Sequence, residues 1–302
     1  MKAVVLYEYG GPDKLKYEGV ADPVAGEGEV LVRLAATSVN PIDYKLRSGA
    51  YKDFMPLTFP WIPGNDIAGL VRQVGPGVDG FAPGDKVMAR GTSAYAELAV
   101  VRAEELTLVP DGLDLVEAAA LPVVTLTGEQ LIRRGTGIKA GQTLLVAGAV
   151  GSVGRSAVWT AKKAGAIVLA GVRTKQVEEA KGIGADEVIA LDDTAAMEKL
   201  GFVDAVADTV GGKTAEALIG QVKQGGVFAS VLGPPGNAKM NPTVRVVPIQ
   251  MVADAKTLRS LAEDVASKRL IIPIDRMVPL EDAGVGQAAA AKGGIGKVLL
   301  LA

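Results

Sequence analysis

Two patterns of apolar and polar positions divide the chain near residue 120. Before that point, short apolar segments such as Glu29 to Leu34 and Ala68 to Val74 alternate with turns such as Gly75-Pro76-Gly77 and Pro83-Gly84-Asp85. Closely spaced turns between β-branched segments are typical of a compact, barrel-like β domain. We therefore expect the first part of the chain to form a β-rich domain.

After residue 140 the pattern changes to continuous apolar strands that alternate with helical stretches. Continuous apolar strands are typical of parallel sheets that are covered on both faces. The alternation of strand and helix predicts an α/β fold with a doubly wound parallel sheet. The predicted strands are Thr143–Ala147, Ile167–Gly171, Glu187–Ala190, Val203–Ala207, Val227–Leu232 and Val244–Val252. The predicted helices are Val153–Ala164, Gln176–Gly182, Ala195–Leu200 and Thr214–Val222.

The last part of the chain returns to a β-rich pattern. A predicted helix from Ala255 to Lys268 leads to predicted strands at Ile271–Ile274 and Lys297–Leu301. We expect this tail to rejoin the first domain. The predicted division is residues 1–121, 122–253 and 254–302, in which the third segment completes the first domain.

Composition excludes several function classes. The 302 residues are 49% hydrophobic and 22% charged, which excludes disorder as the main state. The chain has no cysteine and no histidine, so disulfides, zinc fingers, thiol nucleophiles, Ser-His-Asp triads and histidine metal sites are excluded. A net charge of −2 and the lack of a basic stripe with interleaved aromatic residues argue against nucleic-acid binding.

No segment resembles a membrane anchor or a targeting signal. The apolar runs are far shorter than the roughly 18 residues that a spanning helix needs. The start of the chain, Met1 to Glu8, becomes polar too soon for a signal peptide. We expect a cytoplasmic protein that does not act at a membrane.

A glycine-rich turn follows the first predicted strand of the parallel sheet. Gly148, Gly151 and Gly154 have the spacing G-x-x-G-x-x-G between a buried strand and a helix. Such a turn lets the backbone approach a pyrophosphate and presents helix N–H groups to it, although three glycines alone also suit an ordinary turn. The predicted contacts to a dinucleotide are Gly148, Ala149, Val150, Gly151, Ser152 and Val153.

The end of the second predicted strand indicates which dinucleotide binds. A site for NAD places an acidic residue there, but this strand ends in Arg173-Thr174-Lys175, and no acid follows before Glu178. Two cations and a hydroxyl suit a 2′-phosphate. We therefore expect NADPH as the cofactor; the alternative is a solvated basic turn.

Motifs along almost the whole chain resemble the medium-chain dehydrogenase/reductase superfamily, and within it the quinone oxidoreductase-like branch. The matching stretches are Val39-Asn40-Pro41-Ile42-Asp43-Tyr44-Lys45, Phe59 to Gly69, Pro83-Gly84-Asp85-Lys86-Val87, Ala94-Tyr95-Ala96-Glu97, Ala118 to Pro122 and Gly296-Lys297-Val298. The resemblance implies a GroES-like catalytic domain joined to a Rossmann domain, with the active site in the cleft between them. It also implies a homodimer, for which pairing of the last Rossmann strand is one arrangement.

The resemblance also bears on zinc. Zinc-dependent relatives have a cysteine where Asn40 stands and a histidine where Asn65 stands. Neutral amides are poor zinc ligands, and the chain has no cysteine or histidine to replace them. We therefore expect no metal and a zinc-independent hydride transfer to an electron-poor acceptor.

Three catalytic residues are carried over by the resemblance. Asn40 is expected near the nicotinamide and the substrate carbonyl, or else as a turn cap. Lys45 fits an Asn-Pro-x-Asp-x-Lys pattern of enone reductase-like members, in which an ammonium polarises a carbonyl; the alternative is a solvated lysine. Tyr51 is expected to orient a substrate or donate a proton, whereas Asp43 is expected to anchor its loop.

Further cofactor contacts come from the resemblance and from the strand ends. Thr127 matches a cofactor-contacting threonine, with a helix-start cap as the alternative. Val210, Leu232 and Gly233 follow the carboxyl ends of the fourth and fifth strands, where the nicotinamide binds. Lys297 resembles a cofactor-proximal lysine. The chain departs from the family at Val285-Gly286-Gln287-Ala288, because relatives often carry an Ala-His pair in the helix before the final strand.

Three functions remain open at the level of sequence. The leading hypothesis is NADPH-dependent reduction of a quinone. The alternative within enzymes is reduction of the C=C bond of an enone or another α,β-unsaturated carbonyl. A non-catalytic NADPH-binding protein is the third, because a fold does not fix a function.

Overall fold

The computed structural model describes all residues from Met1 to Ala302 and divides them into two compact units. Unit one consists of Met1–Val123 and Ala253–Ala302. Unit two consists of Val124–Val252. The tail of the chain therefore packs with the first segment.

The strands are numbered β1 to β15 in chain order. Their bounds are Lys2–Leu6, Leu15–Gly19, Glu29–Ser38, Asp66–Val74, Lys86–Arg90, Leu98–Arg102, Leu106–Leu108, Thr143–Ala147, Ile167–Val172, Glu187–Ala190, Val203–Asp208, Val222–Ser230, Arg245–Pro248, Ile274–Pro279 and Lys297–Leu301.

The α-helices are numbered α1 to α9. Their bounds are Pro41–Arg47, Leu115–Ala118, Pro122–Gln130, Ser152–Lys163, Val177–Ala180, Thr194–Lys199, Gly212–Ile219, Ala255–Ala266 and Ala283–Ala291. A π-helical segment, Leu131–Thr136, follows α3. No helix combines the length and the apolar character that crossing a membrane requires.

Unit two is built on a six-stranded parallel sheet in the order β10-β9-β8-β11-β12-β13. The chain runs outward from β8 through β9 to β10 and then returns to β11 on the other side of β8. The carboxyl ends of β8 and β11 therefore flank the point where the winding direction changes, and ligands of such sheets bind at this point. This topology confirms the predicted doubly wound α/β fold.

The core of unit two joins its helices to the sheet. Leu145, Val206 and Phe228 from three strands pack against Leu218 of α7, and all four side chains are inaccessible to solvent. Their continuous apolar strands explain why the sheet could be predicted from the sequence.

Unit one contains a seven-stranded sheet in the order β14-β15-β3-β4-β5-β7, with β6 also paired to β3. Most of its pairs are antiparallel, and β14 pairs with β15 in parallel. The long strand β3 pairs with β4 through two register shifts. Gly69 lies at this pairing, and a Cβ there would overlap Arg33 O. The strands β1 and β2 form a separate two-stranded sheet.

Several predicted elements have different bounds in the structure, and three of the differences have a clear cause or are large. The helix predicted at Thr214–Val222 ends at Ile219, because Val222 already pairs with Val203 as the start of β12. The last parallel strand is shortened to Arg245–Pro248. The strand predicted at Ile271–Ile274 lies instead at Ile274–Pro279, whose largely exposed charged residues hid it from a search for apolar runs.

We predict that Phe228→Ala lowers the free energy of unfolding by about 3–5 kcal/mol, because it opens a cavity in a fully buried position. The matched control is Phe202→Ala, since that ring is 67% exposed and its loss is expected to cost at most about 0.5 kcal/mol. Chemical denaturation measures both. Equal effects of the two variants would contradict this assignment of the core.

Candidate functional site

The glycine turn of unit two links the end of β8 to the start of α4. Gly148 has φ +76°, a left-handed conformation that favours glycine. The N–H groups of Gly148 and Ala149 both donate to Gly171 O, at 2.8 and 3.2 Å. The Gly151 N–H donates to Gly148 O at 3.0 Å. These bonds hold the turn against the end of β9.

Two of the three glycines of the turn are required by packing, and the third has a different role. A Cβ on Gly154 would overlap Gly148 O, and one on Gly148 would overlap Thr209 Oγ1. A Cβ on Gly151 would meet only Gly148 O, at 3.3 Å, and its φ of −68° suits any residue. Gly148 and Gly154 are therefore required by the packing of the fold, whereas Gly151 keeps space free at the start of the helix.

The first turn of α4 offers hydrogen-bond donors to an anion. Gly151 is the N-cap residue and supplies no side-chain cap to the helix. The leading N–H groups of a helix have no intrahelical acceptor, and the helix dipole adds positive potential there. The predicted contacts at Ser152 and Val153 lie in this turn. The arrangement fits a pyrophosphate.

Arg155 forms a hydrogen bond to the backbone of the glycine turn, and the sequence analysis did not identify this residue. Its side chain is 8% exposed, and its Nε donates to Val150 O at 3.0 Å. Its guanidinium also pairs with Glu179 of α5. An arginine one residue after the last glycine is the signal in the sequence that could have revealed this contact. Arg155 thus ties the glycine turn to the helix that follows Arg173 to Lys175.

A buried carboxylate forms hydrogen bonds with the loop after β11 and with the end of β12. Asp208 at the end of β11 accepts hydrogen bonds from the N–H groups of Val210 and Gly211, at 3.0 and 2.9 Å. Its other oxygen accepts from Ser230 Oγ of β12 at 2.7 Å. The sequence analysis missed Asp208, although a carboxylate that ends an apolar strand is a visible signal.

The residues predicted to lie near the nicotinamide follow these strand ends. Val210 and Leu232 are 46% and 45% exposed, so both large apolar side chains are open to a ligand. A Cβ on Gly148 would meet Val210 Cγ2 at 3.0 Å, and one on Gly211 would meet Leu232 Cδ1 at 2.8 Å. The structure therefore brings Val210 to the glycine turn and Leu232 beside Gly211, and Gly233 follows Leu232 with φ +93°.

Thr127 lies in the interior of α3, so its interpretation as a helix-start cap is wrong. The next residue, Gly128, packs so closely on α4 that a Cβ would overlap Val153 O. Ser156 Oγ also donates to Thr125 O at 2.7 Å. The segment of Thr127 therefore adjoins the first turns of α4, and its contact with a cofactor remains a prediction.

The segment predicted to bind a 2′-phosphate follows β9, and its three side chains are exposed. Arg173 Nε lies 3.3 Å from Gln176 Oε1. Both the N–H and the hydroxyl of Thr174 donate to Asp192 Oδ1, at 2.6 and 2.8 Å. Along the chain no acid follows β9 before Glu178, but the neighbouring strand β10 brings Asp192 to the same place.

In unit one, a buried carboxylate organises the candidate catalytic residues. Asp66 is inaccessible to solvent and accepts hydrogen bonds from Ser38 Oγ and from Asn40 Nδ2, the latter at 2.6 Å. Its other oxygen accepts from Val123 N at 2.7 Å. The Lys297 ammonium lies 3.8 Å away.

Asn40 and Lys297 form a pair that the sequence analysis did not foresee. Lys297 Nζ donates to Asn40 Oδ1 at 2.7 Å and to Val39 O at 2.9 Å. Burial lowers the pKa of Lys297, while Asp66 and Asp43 act in the opposite direction. Asn40 is 2% exposed, so both ends of its amide are held. The predicted contact of Lys297 with a cofactor remains a prediction.

Asp43 anchors its loop, as its position near Asn40 suggests. Its carboxylate accepts from Asn40 N at 2.8 Å, Asn65 Nδ2 at 3.0 Å and the Tyr95 hydroxyl at 3.3 Å. Burial raises the pKa of Asp43 to about 6, and the nearby Asp66 charge adds to the effect. Burial also raises the pKa of Tyr95. The amides of Asn40 and Asn65 are thus each bound to a carboxylate.

Lys45 and Tyr51 are brought together at the end of α1. Lys45 Nζ lies 3.1 Å from the Tyr51 hydroxyl and 5.4 Å from the centre of its ring. The Tyr51 ring packs on Phe54 with centroids 4.7 Å apart, and Phe54 is 66% exposed. Both predicted donors are partly accessible, so they can bind the same oxygen of a ligand.

Gln287 has a structural role. It is buried, and its Oε1 accepts from Arg47 Nε at 2.6 Å. Arg47 also donates to Gly10 O at 2.5 Å. The amide thus joins α9 to α1.

Comparison with known proteins agrees with both units. Residues 26–111 match the alcohol dehydrogenase GroES-like domain, and residues 183–300 match the zinc-binding dehydrogenase family. The fold aligns with that of a quinone oxidoreductase from Coxiella burnetii over 100% of this chain and 99% of that one, with a TM-score of 0.89 and 26% identity. The chain belongs to the medium-chain dehydrogenase/reductase superfamily.

Two further members of this superfamily are informative. A chloroplast envelope quinone oxidoreductase homologue of Arabidopsis thaliana is 41% identical over 200 residues, which span 63% of this chain and 60% of that protein. A mycobacterial protein solved in complex with NADPH aligns over 100% of both chains, with a TM-score of 0.87 and 28% identity. The chain thus matches somewhat less than two thirds of the length of its curated chloroplast relative.

We predict that Gly151→Ala weakens binding of a nicotinamide dinucleotide by about tenfold or more, because its methyl group fills the space at the uncapped helix start. The melting temperature should fall less than in Gly154→Ala, because the added Cβ would lie 3.3 Å from Gly148 O rather than overlap it. Gly154→Ala is the matched comparison and should lower the melting temperature, because its Cβ overlaps the backbone. Fluorescence titration and thermal unfolding measure these effects. Unchanged affinity in Gly151→Ala would contradict this assignment.

The raised pKa of Asp43 predicts a dependence of stability on pH. Between the unfolded pKa of about 3.9 and the folded value of about 6, the folded state binds more protons, so rising pH lowers stability. Two pKa units correspond to about 3 kcal/mol. The free energy of unfolding of the wild type, minus that of Asp43→Asn, should fall by roughly this amount from about pH 4 to about pH 7.

In the wild type, Asn65 Nδ2 donates to Asp43. In Asp43→Asn, the Asn65 amide can turn so that its oxygen accepts from the new side-chain amide, and the hydrogen bond between positions 43 and 65 is kept. Denaturant unfolding across the pH range measures the difference. A difference that is constant or rises with pH would show that Asp43 is not held with a raised pKa.

Proposed function

We propose that the chain is an NADPH-dependent oxidoreductase that transfers hydride to a quinone without zinc. The observation that carries the proposal is the Lys45–Tyr51 pair, which offers an ammonium and a phenol 3.1 Å apart to one acceptor oxygen. The quinone oxidoreductases among the relatives support the choice of acceptor.

The residues of unit two fit the proposed cofactor. Gly148 to Val153 would hold the pyrophosphate, with Arg173 and Lys175 at the 2′-phosphate and Val210, Leu232 and Gly233 at the nicotinamide. The mycobacterial structure with NADPH supports this choice. When bound, NADPH supplies the hydride.

The residues of unit one would act on the acceptor. Lys45 and Tyr51 donate to its oxygen and stabilise the negative charge that develops there. Asn40 Nδ2 donates one proton to Asp66, and Asn40 Oδ1 accepts from Lys297. These two bonds fix the orientation of the amide, and the second proton on Nδ2 takes part in neither of them. Since the chain has no histidine, the proton that completes reduction comes from Tyr51, Lys45 or water.

The donor set supports the proposal that the reaction needs no zinc. Asn40 and Asn65 stand at the positions expected for zinc ligands, and each amide nitrogen already donates to a carboxylate. The cation bound to Asn40 Oδ1 is the Lys297 ammonium. We propose that this buried ammonium orders the loop in place of a metal.

Reduction of an enone is the second candidate, and the same pair favours it. Lys45 can stabilise an enolate oxygen while Tyr51 supplies a proton. Product analysis separates the two activities: a saturated ketone indicates enone reduction, and a hydroquinone or semiquinone indicates quinone reduction. Binding of NADPH without turnover of either acceptor would favour a non-catalytic protein.

We predict that Lys45→Met lowers kcat/KM for 1,4-benzoquinone by about 100-fold and that Tyr51→Phe lowers it by at least about tenfold, because each removes a donor to the acceptor oxygen. NADPH oxidation at 340 nm, with 1,4-benzoquinone and 2-cyclohexenone in parallel, measures both. The matched control is Lys52→Met, an exposed lysine one residue beyond Tyr51, which should change the rate by less than about twofold. Full activity in Lys45→Met would refute the role of the pair.

We further propose a homodimer. The strand β13 forms one edge of the parallel sheet and pairs only with β12, so its other side can pair with a second copy. Light scattering at micromolar concentration tests this arrangement, and a monomer mass would exclude it.

A further inference from the structure

We propose that Asp192 determines cofactor specificity by placing a negative charge beside the cations that bind the 2′-phosphate, so that the chain accepts NADH as well as NADPH. The inference rests on the proposed function in one respect, namely that the glycine turn binds a nicotinamide dinucleotide. It concerns a residue that neither the sequence analysis nor the family motifs identified.

The sheet brings Asp192 to this place. Leu191 N donates to Val172 O at 2.7 Å, which continues the pairing of β10 with β9 beyond its last paired residues. Asp192 follows directly, and its Oδ1 accepts both donors of Thr174. Parallel strands end at the same edge of a sheet, so an acid after β10 lies beside the segment after β9.

The contacts of Asp192 change the role of Thr174. The backbone N–H and the hydroxyl proton of Thr174 are both directed to the carboxylate, at 2.6 and 2.8 Å. A phosphate would have to compete with Asp192 for them. Arg173 and Lys175 are then the only groups of the predicted triplet that are ready to bind a 2′-phosphate.

Asp192 also remains charged at neutral pH. The hydrogen bonds from Thr174 lower its pKa, and the positive charge of Arg173 lowers it further. The local charge of Arg173, Lys175 and Asp192 is therefore +1 rather than +2. A 2′-phosphate carries nearly two negative charges and is repelled by a carboxylate, whereas a free ribose hydroxyl can donate to one.

A test must separate the charge of Asp192 from its hydrogen bonds. Asp192→Asn keeps an oxygen that accepts from Thr174 and removes only the charge. Asp193→Asn is the matched control, because it removes the same charge from the next residue. The Asp193 carboxylate caps α6 through Ala195 N and Ala196 N, at 2.8 and 3.3 Å, and asparagine is an equally good cap.

Isothermal titration of the full-length chain with adenosine 2′,5′-bisphosphate and with 5′-AMP measures the effect without turnover. We expect Asp192→Asn to raise the preference for the bisphosphate by about tenfold at low salt, and Asp193→Asn to change it by less than about twofold. Arg173→Ala should lower the preference. In steady state, Asp192→Asn should shift the NADPH/NADH ratio of kcat/KM in the same direction.

Two results would overturn the inference alone: an unchanged preference in Asp192→Asn, or an equal shift in Asp193→Asn. In either case the wild type would still bind nicotinamide dinucleotides, so the proposed function would stand. A wild type that binds neither the nucleotide probes nor NADPH and NADH would refute the proposed function, and the inference with it.

Discussion

The buried carboxylate of Asp66 is the constraint on which unit one depends. Its hydrogen bonds and its ion pair join the end of β3, the start of α1, the start of α3 and β15, which are far apart in sequence. A buried charge is tolerated only when it is paired and hydrogen-bonded. The loops that carry the candidate catalytic residues are therefore fixed together, and Asn40 is held in one orientation by Asp66 on one side and Lys297 on the other.

Unit two uses the same principle at the ends of its strands. Asp208 bonds two backbone N–H groups of the loop after β11 and the Ser230 hydroxyl of β12, and Arg155 bonds a carbonyl of the glycine turn. Because these polar groups are buried, the loops have few alternatives to their present shape. The exposed side chains of Val210 and Leu232 are thus presented by a rigid frame. Binding surfaces that are already formed lose less entropy when a ligand binds.

The parts that the sequence predicted well depend on local patterns. The glycine turn, the apolar strands of the parallel sheet and the closing strand Lys297–Leu301 are visible in consecutive residues. The parts that it missed depend on contacts between distant segments. Asp192 meets Thr174 only because β10 lies beside β9, and Lys297 meets Asn40 across 257 positions of sequence. The prediction placed β14 a few residues too early. Its largely exposed residues carry no apolar pattern, and the segment is a strand because it pairs with β15.

The organising role of Asp66 is tested most directly by a double-mutant cycle with Lys297. The free energy of unfolding is measured for the wild type, Asp66→Asn, Lys297→Met and the double variant. Each single change should cost about 3–5 kcal/mol, since it leaves a buried polar partner without its counterpart. The double variant should cost at least about 1 kcal/mol less than the sum, because it removes both charges. Additive effects within about 0.5 kcal/mol would show that the two groups do not stabilise each other.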